Sequence, residues 1–254
     1  MIRRTASRFG LVADVHANLQ ALEAALAHFE AEGVAEIWCL GDVVGYGGDP
    51  AACVELIRAR CAGTVRGNHD AAAVDPRLRD DFNPHARAAI ERQAELLDAG
   101  TLEWLGSLPP TIELDDILLL HGSVADPDGF SYVMGSSDAG RELDALAARW
   151  GFYAHTHVPA GWRKPPEGGA PQRVEIPASG EIRLEAPGRY LVNPGAVGQP
   201  RDGDPRAACA VFERDGARLR IARLPYDVTA AQAAIRASAW RHPAQRRRVA
   251  HRGL

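Results

Sequence analysis

Lysine is almost missing from this chain: of its 29 basic residues only Lys164 is lysine, and the rest are arginine. We read that bias as the mark of a genome rich in G and C rather than as a functional use of arginine. An excess of positive charge is missing too. The formal net charge is −4, so composition gives no bulk attraction to nucleic acid. The four cysteines, Cys39, Cys53, Cys61 and Cys209, form no CxxC pair, which leaves neither a disulfide framework nor a zinc knuckle. Cys39 falls inside an apolar run and reads as a small core residue. No apolar run reaches the ~20 residues that cross a bilayer. The basic start, residues 1–8, is followed by no hydrophobic segment or cleavage site of a secretory signal. The expectation is a cytoplasmic protein without membrane association, and the sequence sets no oligomeric state.

The 46% of apolar residues is ordinary for a globular protein with a real core. Residues 9–13 read as a short buried strand. Asn18 then caps a helix with Leu19, Leu22, Ala25, Leu26 and Phe29 at helical spacing, and Gly33 ends it. Residues 36–40 form the next predicted strand, Pro50 opens a helix through Arg60, and residues 64–66 form a third strand. This alternation implies a parallel sheet with right-handed crossovers, and in such sheets the ligand site lies beyond the carboxyl ends of the strands. Downstream, the pattern predicts a helix over 84–99 with Ala88, Ile90 and Leu97 inward, and a short helix over 102–105. Strands are expected over 111–114 and 117–120, and Asp138 is expected to cap a helix through Trp150. A strand over 152–154 and a Pro/Gly-rich loop over 162–172 follow. Segments 173–176 and 181–185 read as a hairpin, with later strands over 190–192, 207–214 and 218–224. No internal repeat or interdomain linker is visible. The expected organisation is one domain over 1–240 with an Arg-rich, solvated tail over 241–254.

Five short motifs stand out, most of them at the end of a predicted strand: Asp14-Val15-His16, Gly41-Asp42, Gly67-Asn68-His69-Asp70, His121-Gly122 and His155-Thr156-His157. Together they supply carboxylate, amide and imidazole donors, the mixed set that suits manganese, iron, zinc, cobalt or nickel. The set is large enough for two ions, and paired metals are a device for attacking phosphorus with hydroxide. In a strand continuation, residues i and i+2 point the same way, so Asp14 with His16, and His155 with His157, are each expected to meet one metal. Asp42 is the carboxylate best placed to bridge two ions. Asn68 is a neutral ligand that keeps the site from becoming too anionic for a phosphate. His69 would lie close to the metals, with Asp70 holding its imidazole and raising its pKa.

The order of these motifs resembles the calcineurin-like metallophosphoesterases, whose pattern is DxH, GD, GNH[DE], H and GHxH. The match extends to Gly41-Asp-Val-Val-Gly-Tyr-Gly47, Leu120-His-Gly-Ser123 and Asn193-Pro-Gly-Ala-Val-Gly-Gln-Pro-Arg-Asp202. Those stretches are similar to the small bacterial branch of predicted phosphodiesterases, near the diadenosine-tetraphosphatase-like proteins. The resemblance implies an α/β/β/α sandwich of two mixed sheets flanked by helices. It implies that Asp14, His16, Asp42 and His157 hold one metal and that Asp42, Asn68, His121 and His155 hold the other, manganese being the first expectation. His69 would be the general acid and Asp70 its catalytic partner. The implied substrate is a small phosphoester or a nucleotide. The one departure is Ala154, where the last motif usually has glycine; it removes no ligand. Two rival functions share the fold: a nuclease on DNA or RNA, which the acidic charge disfavours, and a non-catalytic scaffold, which the complete ligand set disfavours.

Overall fold

Burial of both faces of the first strand sets the layers of the molecule. The computed structural model describes residues 5–240; the expected Arg-rich tail lies outside them. In β1 (Arg8–Val12), Phe9 and Leu11 enter one buried cluster while Val12 enters another on the opposite face. Gly10 shares the face of Val12, and a Cβ there would stand 2.9 Å from the Phe29 ring. The missing side chain lets α1 (Leu19–Ala31) lie directly on the sheet, its start capped by the Asn18 side chain accepting from the Ala21 N–H. β2 (Ile37–Cys39), α2 (Pro50–Arg60) and β3 (Gly63–Thr64) complete the β-α-β-α-β run, with β1, β2 and β3 parallel as expected.

The motif after β3 opens a helix, α3 (Asn68–Val74), rather than a turn. A 3-10 helix (Pro76–Asp81), α4 (Pro84–Leu96) and α5 (Ala99–Ser107) follow. The helix predicted over 84–99 ends at Leu96, and the short helix predicted over 102–105 is the longer α5, which starts where Asp98 turns its carboxylate to the Thr101 N–H. In α4 the inward residues are Ala86, Ala89, Ile90 and Gln93, whereas Ala88 is exposed. β4 (Thr111–Leu114) and β5 (Ile117–Leu120) match their predicted bounds. The helix expected to run to Trp150 stops at Ala145: α6 is Ser136–Ala145, and Trp150 opens β6 (Trp150–Phe152). The Arg149 and Trp150 N–H groups donate to the Asp116 carbonyl, which draws the chain into the sheet instead of another helical turn.

The predicted loop over 162–172 begins as a strand, β7 (Ala160–Lys164), and the predicted hairpin beyond it does not form. β8 (Gln172–Val174) pairs with β7, while β9 (Gly180–Arg183) pairs with β12 (Arg218–Leu224) in the other sheet. Alternation identifies a strand but not its partner, and residues 175–179 carry the chain from one sheet to the other. β10 (Arg189–Asn193) and β11 (Ala207–Glu213) occupy central places. The sheets are mixed and six-stranded, ordered β3-β2-β1-β11-β12-β9 and β4-β5-β6-β10-β7-β8. A last helix, α7 (Val228–Trp240), was not expected from the sequence. Among the described residues no helix is long and apolar enough to cross a membrane.

One buried cluster lies between the first sheet and α1 and α2, one between the two sheets, and one between the second sheet and α6. At the centre of the middle cluster the Phe212 ring sits 5.7 Å from Phe9, 5.3 Å from Trp150 and 5.1 Å from Phe152. Replacing Phe212 by Ala is expected to cost about 3–5 kcal/mol of folding stability, through lost burial and the cavity left behind. Urea denaturation followed by far-ultraviolet dichroism reads this directly, and a loss under about 1 kcal/mol would show that the two sheets do not depend on this packing.

Candidate metal centre

Every motif residue lies past the end of a strand, but not by continuing it. Asp14, His16, Asp42, His155 and His157 have φ of 50, 48, 54, 70 and 61°, the left-handed region. The expectation that i and i+2 meet by strand alternation is therefore corrected. The Asp14/His16 and His155/His157 pairs converge through left-handed loops, a conformation that costs roughly 1–2 kcal/mol per non-glycine residue and concentrates at functional sites. The loops hold one another. His16 and Ala17 N–H donate to the Asp42 and Val43 carbonyls, and the His155 N–H donates to Asp14 Oδ1 at 3.2 Å.

The result is two buried groups sharing one carboxylate. Asp14, His16, Asp42 and His157 each present a ligand atom within 4.8 Å of the others, and so do Asp42, His121 and His155. Asp42 Oδ2 stands 3.6 Å from His16 Nε2 and 3.3 Å from His121 Nε2, while Oδ1 accepts the His69 N–H at 2.8 Å. The outer nitrogens of three imidazoles face backbone carbonyls: His16 Nδ1 to Val44 at 3.1 Å, His121 Nδ1 to Leu40 at 2.8 Å and His157 Nδ1 to Gln199 at 2.6 Å. A carbonyl only accepts, so each Nδ1 carries a proton, and in the neutral ring each Nε2 turns a lone pair inward. His16 Nε2 and His157 Nε2 then face each other at 3.0 Å, and His121 Nε2 faces His155 Nδ1 at 3.2 Å. The facing lone pairs of His16 and His157 are satisfied by a cation between them. Asp14 Oδ2 and Asn68 Oδ1 are buried with no hydrogen-bond partner, as ligands of a cation would be. The residues present fit a dinuclear centre.

Burial dominates the electrostatics. It pushes His16 well below the ordinary imidazole range and His155 down to about 3. Both are therefore neutral and able to ligate near pH 7. At His121 burial pulls the same way, but the adjacent Asp42 carboxylate outweighs it and raises the imidazole to about 9, so near pH 7 its Nε2 keeps a proton that a bound cation would displace. Asp42, raised by burial, is brought well below the carboxylate range by His121 and the other surrounding imidazoles. The carboxylate shared by both groups is thus firmly ionised.

Asp70 does not hold His69. Its Oδ1 accepts the Val43 and Val44 N–H at 2.9 and 3.2 Å, and its Oδ2 accepts the Gly67 N–H at 3.1 Å. It shapes the Asp42 loop, and burial with repulsion from Asp42 raises it to about 7. His69 Nδ1 is buried without a partner, and the expected rise in its pKa is reversed: burial takes it down to about 4. Gly45, at φ +103°, lets the ring fit, because a Cβ there would fall 2.2 Å from His69 Nδ1. Asn193 is a residue the sequence reading quoted but gave no role. Its amide donates to the Ala154 carbonyl and to Thr156 Oγ1 at 2.8 and 3.0 Å, clamping the loop that carries His155 and His157.

Residues 8–216 match the calcineurin-like phosphoesterase superfamily domain. The chain belongs to that superfamily. With both Asp/His groups intact, it is a phosphoesterase. It is 40% identical to a metallophosphoesterase of Sphaerobacter thermophilus, whose structure superposes with a TM-score of 0.79 over 92% of this chain and 95% of that one. It is 33% identical to an uncharacterized protein of Methanocaldococcus jannaschii over 87% of this chain and 89% of the other. A hypothetical protein of Pyrococcus horikoshii shares the fold, with a TM-score of 0.72, 18% identity, and 94% and 96% of the two chains covered.

The phosphoesterase opens its two Asp/His groups to a cavity of about 310 Å³, lined by Asp42, Asn68, His69, His155 and His157. Its outer walls are Tyr46, Phe82, Phe130 and Tyr132, with Asp81 and Asp128 on the far side and Arg201 beside His157. Tyr132 stacks on His155, ring centroids 3.9 Å apart. Of these wall residues Tyr46 and Arg201 lay inside quoted motifs; the others come from segments with no periodic or motif signal.

Proposed function

We propose that the protein hydrolyses small phosphoesters with two divalent ions, Asp14, His16, Asp42 and His157 holding one and Asp42, Asn68, His121 and His155 the other. The observation that carries this reading is the shared carboxylate: one Asp42 oxygen lies between imidazoles of both groups. Two ions there would supply an activated hydroxide and neutralise phosphoryl charge, manganese being our first choice for a site mixing oxygen and imidazole donors. The chain's own residues do the rest. Carbonyls of Leu40, Val44 and Gln199 fix the imidazole tautomers, Asp70 and Asn193 hold the ligand loops, and His69 stands at the cavity wall to protonate the leaving oxygen. The cavity lining carries Asp81 and Asp128 against a single arginine, which favours a small ester or a nucleotide over a long polyanion.

Chelator-treated protein is expected to lose all hydrolysis of bis(p-nitrophenyl) phosphate and to recover it on adding manganese, with iron, zinc, cobalt and nickel as comparisons. Parallel trials with a phosphomonoester, a dinucleoside polyphosphate and single- and double-stranded nucleic acid rank the substrate classes. Hydrolysis that survives complete metal removal, or that no metal restores, would overturn the reading.

A further inference from the structure

Arg201 is next to last in the stretch 193–202 and has no role in the metal centre. Its backbone N–H donates to the His157 carbonyl at 3.2 Å, which fixes it beside a ligand loop. Its guanidinium is held by a neutral group: Nη2 and Nε donate to Gln199 Oε1 at 2.8 and 3.3 Å. Its Cζ lies 6.0 Å from the Tyr46 ring centroid. No carboxylate of the described residues pairs with it, although an aspartate follows it directly. That aspartate, Asp202, is bonded instead to Arg223, whose side chain is wholly buried and also donates to the Ala178 carbonyl. The fold thus keeps an un-neutralised cation at the cavity mouth. Among the described residues lining that cavity Arg201 is the only arginine or lysine.

We propose that Arg201 is the substrate clamp of this site, gripping the non-bridging oxygens of the phosphoryl group while Gln199 aims its guanidinium. The proposal rests on the phosphoesterase reading above. It assigns Gln199 two tasks: its carbonyl orients His157, and its side chain orients the cation. A planar, permanently charged fork suits two phosphoryl oxygens better than an ammonium does. No bond is made or broken by Arg201; it binds the anion before and after the displacement.

The test is calorimetric titration of inorganic phosphate into manganese-loaded protein, with metal content measured on the same samples. Arg201→Ala is expected to weaken phosphate roughly 10-fold or more, the scale of a charge-assisted hydrogen bond at a partly exposed site, with two ions retained. Arg201→Lys is expected to recover part of that loss. In hydrolysis the Ala variant should raise KM more than it lowers kcat. Phosphate binding within twofold of the parent in Arg201→Ala overturns the clamp, as does metal loss in that variant, which would make Arg201 a prop for the His157 loop. Absence of phosphate binding by the loaded parent also overturns it. Arg201-dependent phosphate binding by a parent that hydrolyses no ester would sustain the clamp and sink the hydrolase reading instead.

Discussion

Changing Asp42 to Asn is expected to leave the fold intact, remove at least one of two bound ions and cut hydrolysis by roughly 10²–10³-fold or more, the scale set by loss of a preorganised electrostatic partner. The two carboxylate oxygens of Asp42 have different duties. Oδ1 accepts the His69 N–H at 2.8 Å, a buried donor that keeps its acceptor in any well-folded variant. The asparagine carbonyl therefore takes the Oδ1 place, and its NH2 group falls where Oδ2 stood, 3.3 Å from His121 Nε2 and 3.6 Å from His16 Nε2. A neutral donor would then face both cation positions. The exchange removes the charge shared by the two groups and turns a lone pair into a proton. Elemental analysis of the loaded protein and the rate on bis(p-nitrophenyl) phosphate read both effects. Two ions retained with a rate within tenfold of the parent would show that the centre does not depend on a bridging carboxylate.

The site was more legible in the sequence than the fold around it, for physical reasons. Ligand chemistry is carried by residue type. Asp14, His16, Asp42, His121, His155 and His157 could be picked out one by one, and the structure brings them within bonding reach of shared points. How they converge was not legible, because the left-handed φ at Asp14, His16, Asp42, His155 and His157 is one that non-glycine residues seldom adopt. Strands with strong apolar patterns, such as β4 and β5, were found at their bounds. Pairing failed where only three-dimensional context decides it. The segments over 173–185 alternate like two arms of a hairpin, but β8 and β9 are edge strands of different sheets. Helix α7 was missed because its alanine-rich segment, VTAAQAAIRASAW, offers little apolar periodicity. Asp70 shows the limit of adjacency: a carboxylate next to a histidine suggests a pair, yet the three N–H groups of the Asp42 loop and Gly67 claim both its oxygens.

His69 therefore stands without Asp70 as a partner. Its imidazole is packed among His16, Tyr46 and Phe82, with ring centroids 4.7, 4.8 and 4.8 Å away. Nδ1 is sealed against Gly45, which leaves Nε2 as the nitrogen on the cavity side. With Asp70 occupied and burial depressing the ring to about 4, no protein carboxylate but Asp42 favours the protonated form. As the proposed acid, His69 would be armed by its substrate, because an arriving phosphoryl anion would supply the missing negative charge. Replacing His69 by Ala is expected to spare both ions, because only the backbone N–H of His69 touches Asp42. It should slow esters of poor leaving alcohols, such as a nucleoside, by roughly 10²–10⁴-fold, the usual worth of a positioned general acid. A p-nitrophenyl ester leaves as a stabilised anion that hardly needs a proton, so its loss should be far smaller. The ratio of the two losses is the decisive measurement, since a merely structural fault would lower both rates together. Equal losses on the two esters, with metal content unchanged, would remove His69 from proton transfer and leave it as packing between the metal centre and the aromatic wall.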